Sequence, residues 1–119
     1  MFGTNYDTPD GTCIRDFTHV SDLAQAHLAA LDYMWKHKHS STFNCGNGRG
    51  YSVKEILDSV QRVSGVKLNI EYTDRRAGDP PALIVDSQAL QEKTGWEAGY
   101  TDIDEIVKTA FEWERKLLS

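Results

Sequence analysis

The sequence predicts a small mixed α/β domain. Three stretches carry apolar residues at helical spacing, near residues 22–38, 52–64 and 102–117. Between them lie short alternating or apolar runs of strand type. Glycine, proline or a capping side chain marks each junction. At 119 residues the chain has the size of a single domain, 1–119, able to bury a modest core.

The elements follow in order. Met1 to Gly11 reads as a loop. In Thr8-Pro9-Asp10-Gly11, proline presets one turn dihedral and glycine takes the positive-φ site. Phe2 is the one large apolar group there and needs something to cover. Thr12 to Val20 is an extended arm whose apolar members are Ile14, Phe17 and Val20. Ser21 and Asp22 are N-cap types, so the spacing predicts a helix from about Asp22 to Lys38. Leu23, Ala26, Ala30, Leu31 and Met34 form its stripe, and its alanines admit a close neighbour. Lys36 to His39 suits a helix C-terminus, where cations meet the negative dipole end.

Ser41 to Cys45 is expected to be a short strand. Ser52-Val53-Lys54-Glu55 is a capping box that opens the second helix, with Gly65 at its end. Lys67 to Tyr72 alternates and is expected to form a half-exposed strand. Thr73 to Pro81 contains Gly78, Pro80 and Pro81, and can be neither helix nor central strand. Ala82 to Val85 is extended. Asp86-Ser87 caps a short helix over Gln88–Thr94, which Gly95 stops, and Trp96 should pack back. The last helix starts at Thr101-Asp102-Ile103-Asp104, with acids in its first turn and Arg115-Lys116 in its last. Trp35, Trp96 and Trp113 are expected to be core aromatics.

Composition narrows the function. Hydrophobic content is 39% and charged content 26%, values of a globular domain rather than a disordered one. A net charge of −5 argues against a nucleic-acid partner, because phosphate-tracking surfaces carry a basic surplus. No apolar run reaches membrane-spanning length, and the first residues lack the pattern of a signal peptide. Cys13 and Cys45 form no C-x-x-C pair and are expected to be reduced thiols in a cytoplasmic protein.

The sequence carries neither a Walker loop nor zinc spacing, and no metal site is expected at His37 and His39. Gly46-x-Gly48-x-Gly50 lacks the G-x-G-x-x-G spacing of a dinucleotide fingerprint and reads as a tight turn into a helix. His19 and Asp22 fit a helix cap rather than proton transfer. No catalytic residue is assigned. The positive signal is Arg15 on the apolar arm and the pair Arg75-Arg76 in the stiff loop. Arg15 either pairs with a neighbour such as Asp16 or holds an anion. The loop is either solvated charge or a binding element on a rigid support. Two separated guanidinium forks are what a diphosphate needs.

Thr8-Pro9-Asp10-Gly11-Thr12-x-x-Arg15-Asp16-Phe17-Thr18-His19-Val20-x-Asp22-Leu23-Ala24 closely resembles the C-terminal half of bacterial UDP-glucose 4-epimerases, in the extended short-chain dehydrogenase/reductase family. Phe43 to Val53 resembles that family's strand, glycine turn and helix start. Arg75-Arg76-x-Gly78-Asp79-Pro80 resembles its diphosphate loop, and Thr94-Gly95-Trp96 its late turn. The match runs the length of the chain.

The resemblance implies the C-terminal, substrate-binding lobe of such an enzyme without its Rossmann half. It implies that Phe2 lies against a uracil ring and that Arg15 and Arg76 clamp the diphosphate of a UDP-sugar. Asp79 reaches the ribose or orients the loop. The family's glycine-rich NAD site and Tyr-x-x-x-Lys pair lie in the half this sequence does not contain. NAD is therefore expected only in full-length relatives, and the sequence reads as a truncated frame, a remnant or a fragment. Three functions follow: a weak UDP-sugar-binding lobe that is inactive alone, an interaction module that no longer binds ligand, and, least favoured, an independent enzyme. An exposed apolar face implies a homo-oligomer.

Overall fold

In the computed structural model, which describes residues 1–119, Ile14–Asp16 (β1) forms the middle strand of a three-stranded sheet. Gly50–Ser52 (β2) pairs with it antiparallel, with Tyr51 opposite Arg15. Ala82–Leu83 (β3) pairs with it in parallel, with Leu83 opposite Arg15. The helices are Val20–His37 (α1), Val53–Ser64 (α2), Gln88–Thr94 (α3) and Ile103–Leu118 (α4). α2 packs on α4, and α1 packs on α3.

Local chemistry explains most boundaries. Ser52 ends β2 and caps α2, accepting from Glu55 N at 3.0 Å while its own N–H donates to Glu55 Oε2 at 2.7 Å. This is the reciprocal capping box that the sequence promises. Asp102 caps α4 through Asp104 N and Glu105 N. Gly65 and Gly95 close α2 and α3 in the left-handed region, at φ 70° and 74°.

Asp10 joins the lead-in turn to α2. It accepts from Thr12 N at 2.9 Å, from Thr12 Oγ1 at 2.7 Å and from the Ser52 hydroxyl. Burial works against its charge, but the hydrogen bonds from Ser52 and Thr12 outweigh it and hold the carboxyl below the usual range. The Asp104 carboxyl is lowered too, by hydrogen bonds from Arg62 and Ser59. Stability from such groups is fully present above the unfolded carboxylate value, near pH 4, and is lost as pH falls through the lower folded value. Thermal unfolding by circular dichroism should therefore show Tm falling below about pH 4. The fall should be shallower in Asp10→Asn, and an identical acid slope would remove Asp10 as a source.

The molecule is a slab, 50 × 38 × 20 Å, with a radius of gyration of 16.8 Å. A compact chain of this length has about 13.5 Å. The accessible surface is 8320 Å², against about 6,500 Å² for a folded monomer of this mass. The central cluster is small: Ala26, Leu90 and Trp96, with Ala29, Phe43, Cys45 and Ala98 packed around it.

Four expectations fail. Residues 41–45 form no strand, because no neighbouring backbone offers a ladder there. Phe43 and Cys45 pack on the central cluster instead. Residues 67–72 also lack strand pairing. Leu68 and Ile70 are half-buried and Asn69 exposed, but Tyr72 is exposed, so the alternation stops at Ile70, and Leu68 N donates to Gln61 Oε1 rather than to a strand. The one ladder-like contact nearby is an isolated parallel bridge between Phe2 and Thr73. α1 begins at Val20, earlier than expected, and His19 is its cap: His19 Nδ1 accepts from Ser21 N at 3.0 Å.

The tryptophans form the fourth correction. Trp96 is buried, whereas Trp35 and Trp113 are 71% and 60% exposed. Leu28, Leu31 and Trp35 lie at i, i+3 and i+7, so they form one uncovered stripe on α1. Helical spacing identifies an apolar face but not whether anything covers it.

Candidate functional site

Arg15 sits on the middle strand, where its backbone is held from both sides. Its side chain is 24% exposed. Nη1 donates to the Ile14 carbonyl at 2.8 Å, and Nη2 lies 3.8 Å from Asp79 Oδ1. Asp16 is not its partner. The Asp16 carboxylate accepts from Asn47 N at 3.1 Å, Gly48 N at 2.9 Å and Thr18 Oγ1 at 3.2 Å.

Asp79 carries the second fork. Its Oδ2 accepts from Arg76 Nε at 3.0 Å, and Arg76 Nη2 lies 3.0 Å from the same oxygen. Asp79 N donates to the Arg76 carbonyl at 3.4 Å, and Gly78 adopts φ 86°, so the tip is a tight turn that aims both side chains together. Nothing lies within 4 Å of a Cβ at Gly78, so positive φ alone demands glycine there. The outer end of Arg76 is 62% exposed and stacks 4.8 Å from the Phe2 ring centroid. Phe2 is itself 51% exposed.

Phe2, Arg76, Asp79 and Arg15 are thus contiguous, although they come from three separate stretches. A single carboxylate lies between the two guanidinium groups. The geometry provides two forks converging on one anionic position, with an exposed aromatic face beside Arg76.

The second arginine of the pair is turned away. Arg75 bonds Asn5 and lies over Tyr6, 4.2 Å from the ring centroid. Tyr6 is buried with its hydroxyl unpaired, and burial, reinforced by the nearby Cys13 thiol and Asp79 carboxylate, raises its pKa. Asn5 carries only a turn-former signal in the sequence, and Tyr6 carries none. Their role depends on pairing across about 70 residues, and no local pattern encodes that.

Other motifs are occupied by structure. The backbone N–H groups of the glycine turn at Asn47 and Gly48 are already used by Asp16. A Cβ on Gly46 would stand 2.7 Å from Asp16 Oδ2 and 2.8 Å from Val85 Cβ, so this glycine permits close packing. The turn therefore does not fit a dinucleotide phosphate, and these residues do not form an NAD cradle. His19 bonds Thr109 Oγ1 at 2.8 Å through Nε2 and stacks on Tyr100 at 3.9 Å. Asp22 serves elsewhere. Its carboxylate accepts from Gly99 N and Tyr100 N at 3.0 and 2.9 Å. A cleft of about 690 Å³ lies between the start of α1 and α4. It is mostly apolar and lies away from the arginines.

The chain is similar to known proteins along most of its length. Residues 1–46 match the NAD dependent epimerase/dehydratase family. The UDP-glucose 4-epimerase of Azospirillum brasilense is 48% identical over 117 residues, which cover 98% of this chain and 34% of that protein. A crystal structure of a UDP-glucose 4-epimerase superposes with a TM-score of 0.91 at 46% identity, covering 98% of this chain and 35% of that one.

In sequence and fold the chain is similar to the C-terminal portion of UDP-glucose 4-epimerases.

A second epimerase structure, from Stenotrophomonas maltophila, holds NAD and a formylated UDP-arabinopyranose. It matches with a TM-score of 0.91 at 34% identity, over 98% of this chain and 34% of its own. The chain spans about a third of the length of the epimerases it matches. No helix of this epimerase-like fold is long and apolar enough to cross a membrane.

Proposed function

We propose that this chain is the UDP-sugar-binding portion of a UDP-glucose 4-epimerase, an enzyme class of galactose metabolism. Arg15 and Arg76 hold the diphosphate, Phe2 lies against the uracil, and Asp79 turns from the arginines to the ribose. The observation that carries this reading is the single Asp79 carboxylate lying between two guanidinium forks. A carboxylate in that place marks where a phosphate oxygen would be favoured.

The 119 residues are not catalytically competent by themselves. They contain no Tyr-x-x-x-Lys pair and no dinucleotide fingerprint, so hydride transfer through NAD has no base and no cofactor site among them. Half a pocket should bind weakly, at roughly millimolar Kd, or about 4 kcal/mol. The free thiols Cys13 and Cys45 fit a cytoplasmic setting.

A second reading is a self-associating or partner-complementing module without ligand. The uncovered stripe of Leu28, Leu31 and Trp35 favours it. So does the surface excess of about 1,800 Å² on one chain, roughly twice the ~800 Å² that each partner gives to a standard interface.

One set of samples tests both. The isotopically labelled chain is titrated with UDP-glucose and followed by NMR. Saturable shifts at Arg15, Arg76 and Gly78 are expected, with affinity about tenfold weaker in Arg76→Ala. A flat response well beyond millimolar ligand would overturn the binding reading. Light scattering on the same samples should give a dimer or larger species, and a monodisperse monomer at high concentration would sink the self-association.

A further inference from the structure

Arg75 and Arg76 are neighbours that face opposite ways. Arg76 meets Asp79 and the Phe2 ring. Arg75 reaches back to the first residues of the chain. Its Nε donates to Asn5 Oδ1 at 2.7 Å, its Nη2 donates to the Asn5 carbonyl, and its guanidinium covers Tyr6.

These contacts lie on a seam between two thin segments. Gly3 N donates to the Thr73 carbonyl at 2.9 Å, and Thr73 N donates to the Met1 carbonyl at 2.9 Å. That makes one isolated bridge, with Phe2 opposite Thr73. A lone bridge at an exposed edge is weak. The segments nevertheless approach closely. Gly3 adopts φ 80°, and a Cβ there would stand 2.6 Å from the Tyr6 ring and 2.8 Å from Arg75 Cγ.

We propose that Arg75 is a positioning residue that fixes Phe2 against Arg76, so that the aromatic face and the guanidinium fork are presented to one nucleotide. Its planar fork grips Asn5 twice while its face stacks on Tyr6. That combination suits arginine and not lysine, whose single ammonium cannot do both. Tyr6 in turn is anchored by burial. The grip therefore passes from the buried ring, through Arg75, to the loop that carries Arg76. The nucleotide part of the inference rests on the UDP-sugar reading above, whereas the positioning itself is testable without ligand.

The experiment compares Arg75→Ala, Arg75→Lys, Asn5→Ala and the Asn5→Ala/Arg75→Ala double variant with the parent chain. In the free proteins, nuclear Overhauser contacts between the Phe2 ring and the Arg76 side chain are expected in the parent. They should be lost in Arg75→Ala and not restored in Arg75→Lys. Asn5→Ala should weaken the same contacts, and the double variant should be no worse than Arg75→Ala. Titrations with UDP and with inorganic pyrophosphate supply a second readout. Arg75→Ala should weaken UDP by about fivefold, the loss of one stacking contact, and pyrophosphate by less than about twofold.

Unchanged Phe2–Arg76 contacts in Arg75→Ala would overturn the proposal, as would an equal loss of both ligands. If Arg75→Ala fails to fold, Asn5→Ala decides, since it removes the side-chain half of the grip and leaves Arg75 itself in place. A parent that binds neither UDP nor pyrophosphate would overturn the UDP-sugar reading, while the contacts in the free proteins still decide the role of Arg75.

Discussion

Trp96→Ala is expected to remove about 3–5 kcal/mol of stability, the usual range for a truncated core aromatic. Trp96 is 6% exposed and packs with Ala26 and Leu90 in the small central cluster. Its indole Nε1 donates to the Asp22 carbonyl at 3.1 Å. Truncation therefore opens a cavity and also removes that hydrogen bond. Domains of this size hold about 5–15 kcal/mol in total, so the variant should be largely unfolded or melt about 15 °C lower. Trp113→Ala is the control. Trp113 is 60% exposed, and its loss should change stability by less than about 0.5 kcal/mol. Calorimetry of the two variants decides: equal losses would mean that the burial pattern described here is wrong.

Asp22→Ala comes second in size, with an expected loss of about 3 kcal/mol. Asp22 is 5% exposed and accepts from two backbone N–H groups, Gly99 and Tyr100. Each is a charge-assisted bond, and removal leaves two donors facing a void. Asn at this position keeps one acceptor but turns an amide donor toward the other N–H, so Asp22→Asn should lose about 2 kcal/mol. Denaturant unfolding measures both, and a loss below about 1 kcal/mol in Asp22→Ala would show that the 99–100 loop finds other partners. The His19–Tyr100 stack should loosen in the same variants, because Asp22 holds the Tyr100 backbone.

Elements closed by their own neighbours in sequence were legible. The capping box at Ser52 and Glu55, the glycine stops at Gly65 and Gly95, and the acidic start of the last helix each need only a few adjacent residues. Of the extended arm expected over Thr12 to Val20, only Ile14–Asp16 is strand, because β2 and β3 pair with it there. The expected strands at 41–45 and 67–72 failed because a strand is defined by a neighbour the segment cannot specify. Phe43 and Leu68 keep inward-facing roles there without any ladder. Leu31 was placed on an apolar stripe, and Trp35 and Trp113 were read as core, because periodicity reports a face and is silent about its cover.

The candidate site divides along the same line. From residue type alone the arginines and the proline-stiffened loop left two readings open, an anion site or paired and solvated charge, and the family resemblance favoured the first. The sequence by itself determined that one guanidinium fork lies on the extended arm and two on a stiff Gly/Pro loop. Only the tertiary structure decided that Asp79 lies between Arg15 and Arg76, that Asp16 is spent on the glycine turn, and that Arg75 reaches Asn5 and Tyr6. Those assignments depend on contacts between residues tens of positions apart. Hydrogen bonds and ion pairs act over a few ångströms in space, whatever the distance along the chain.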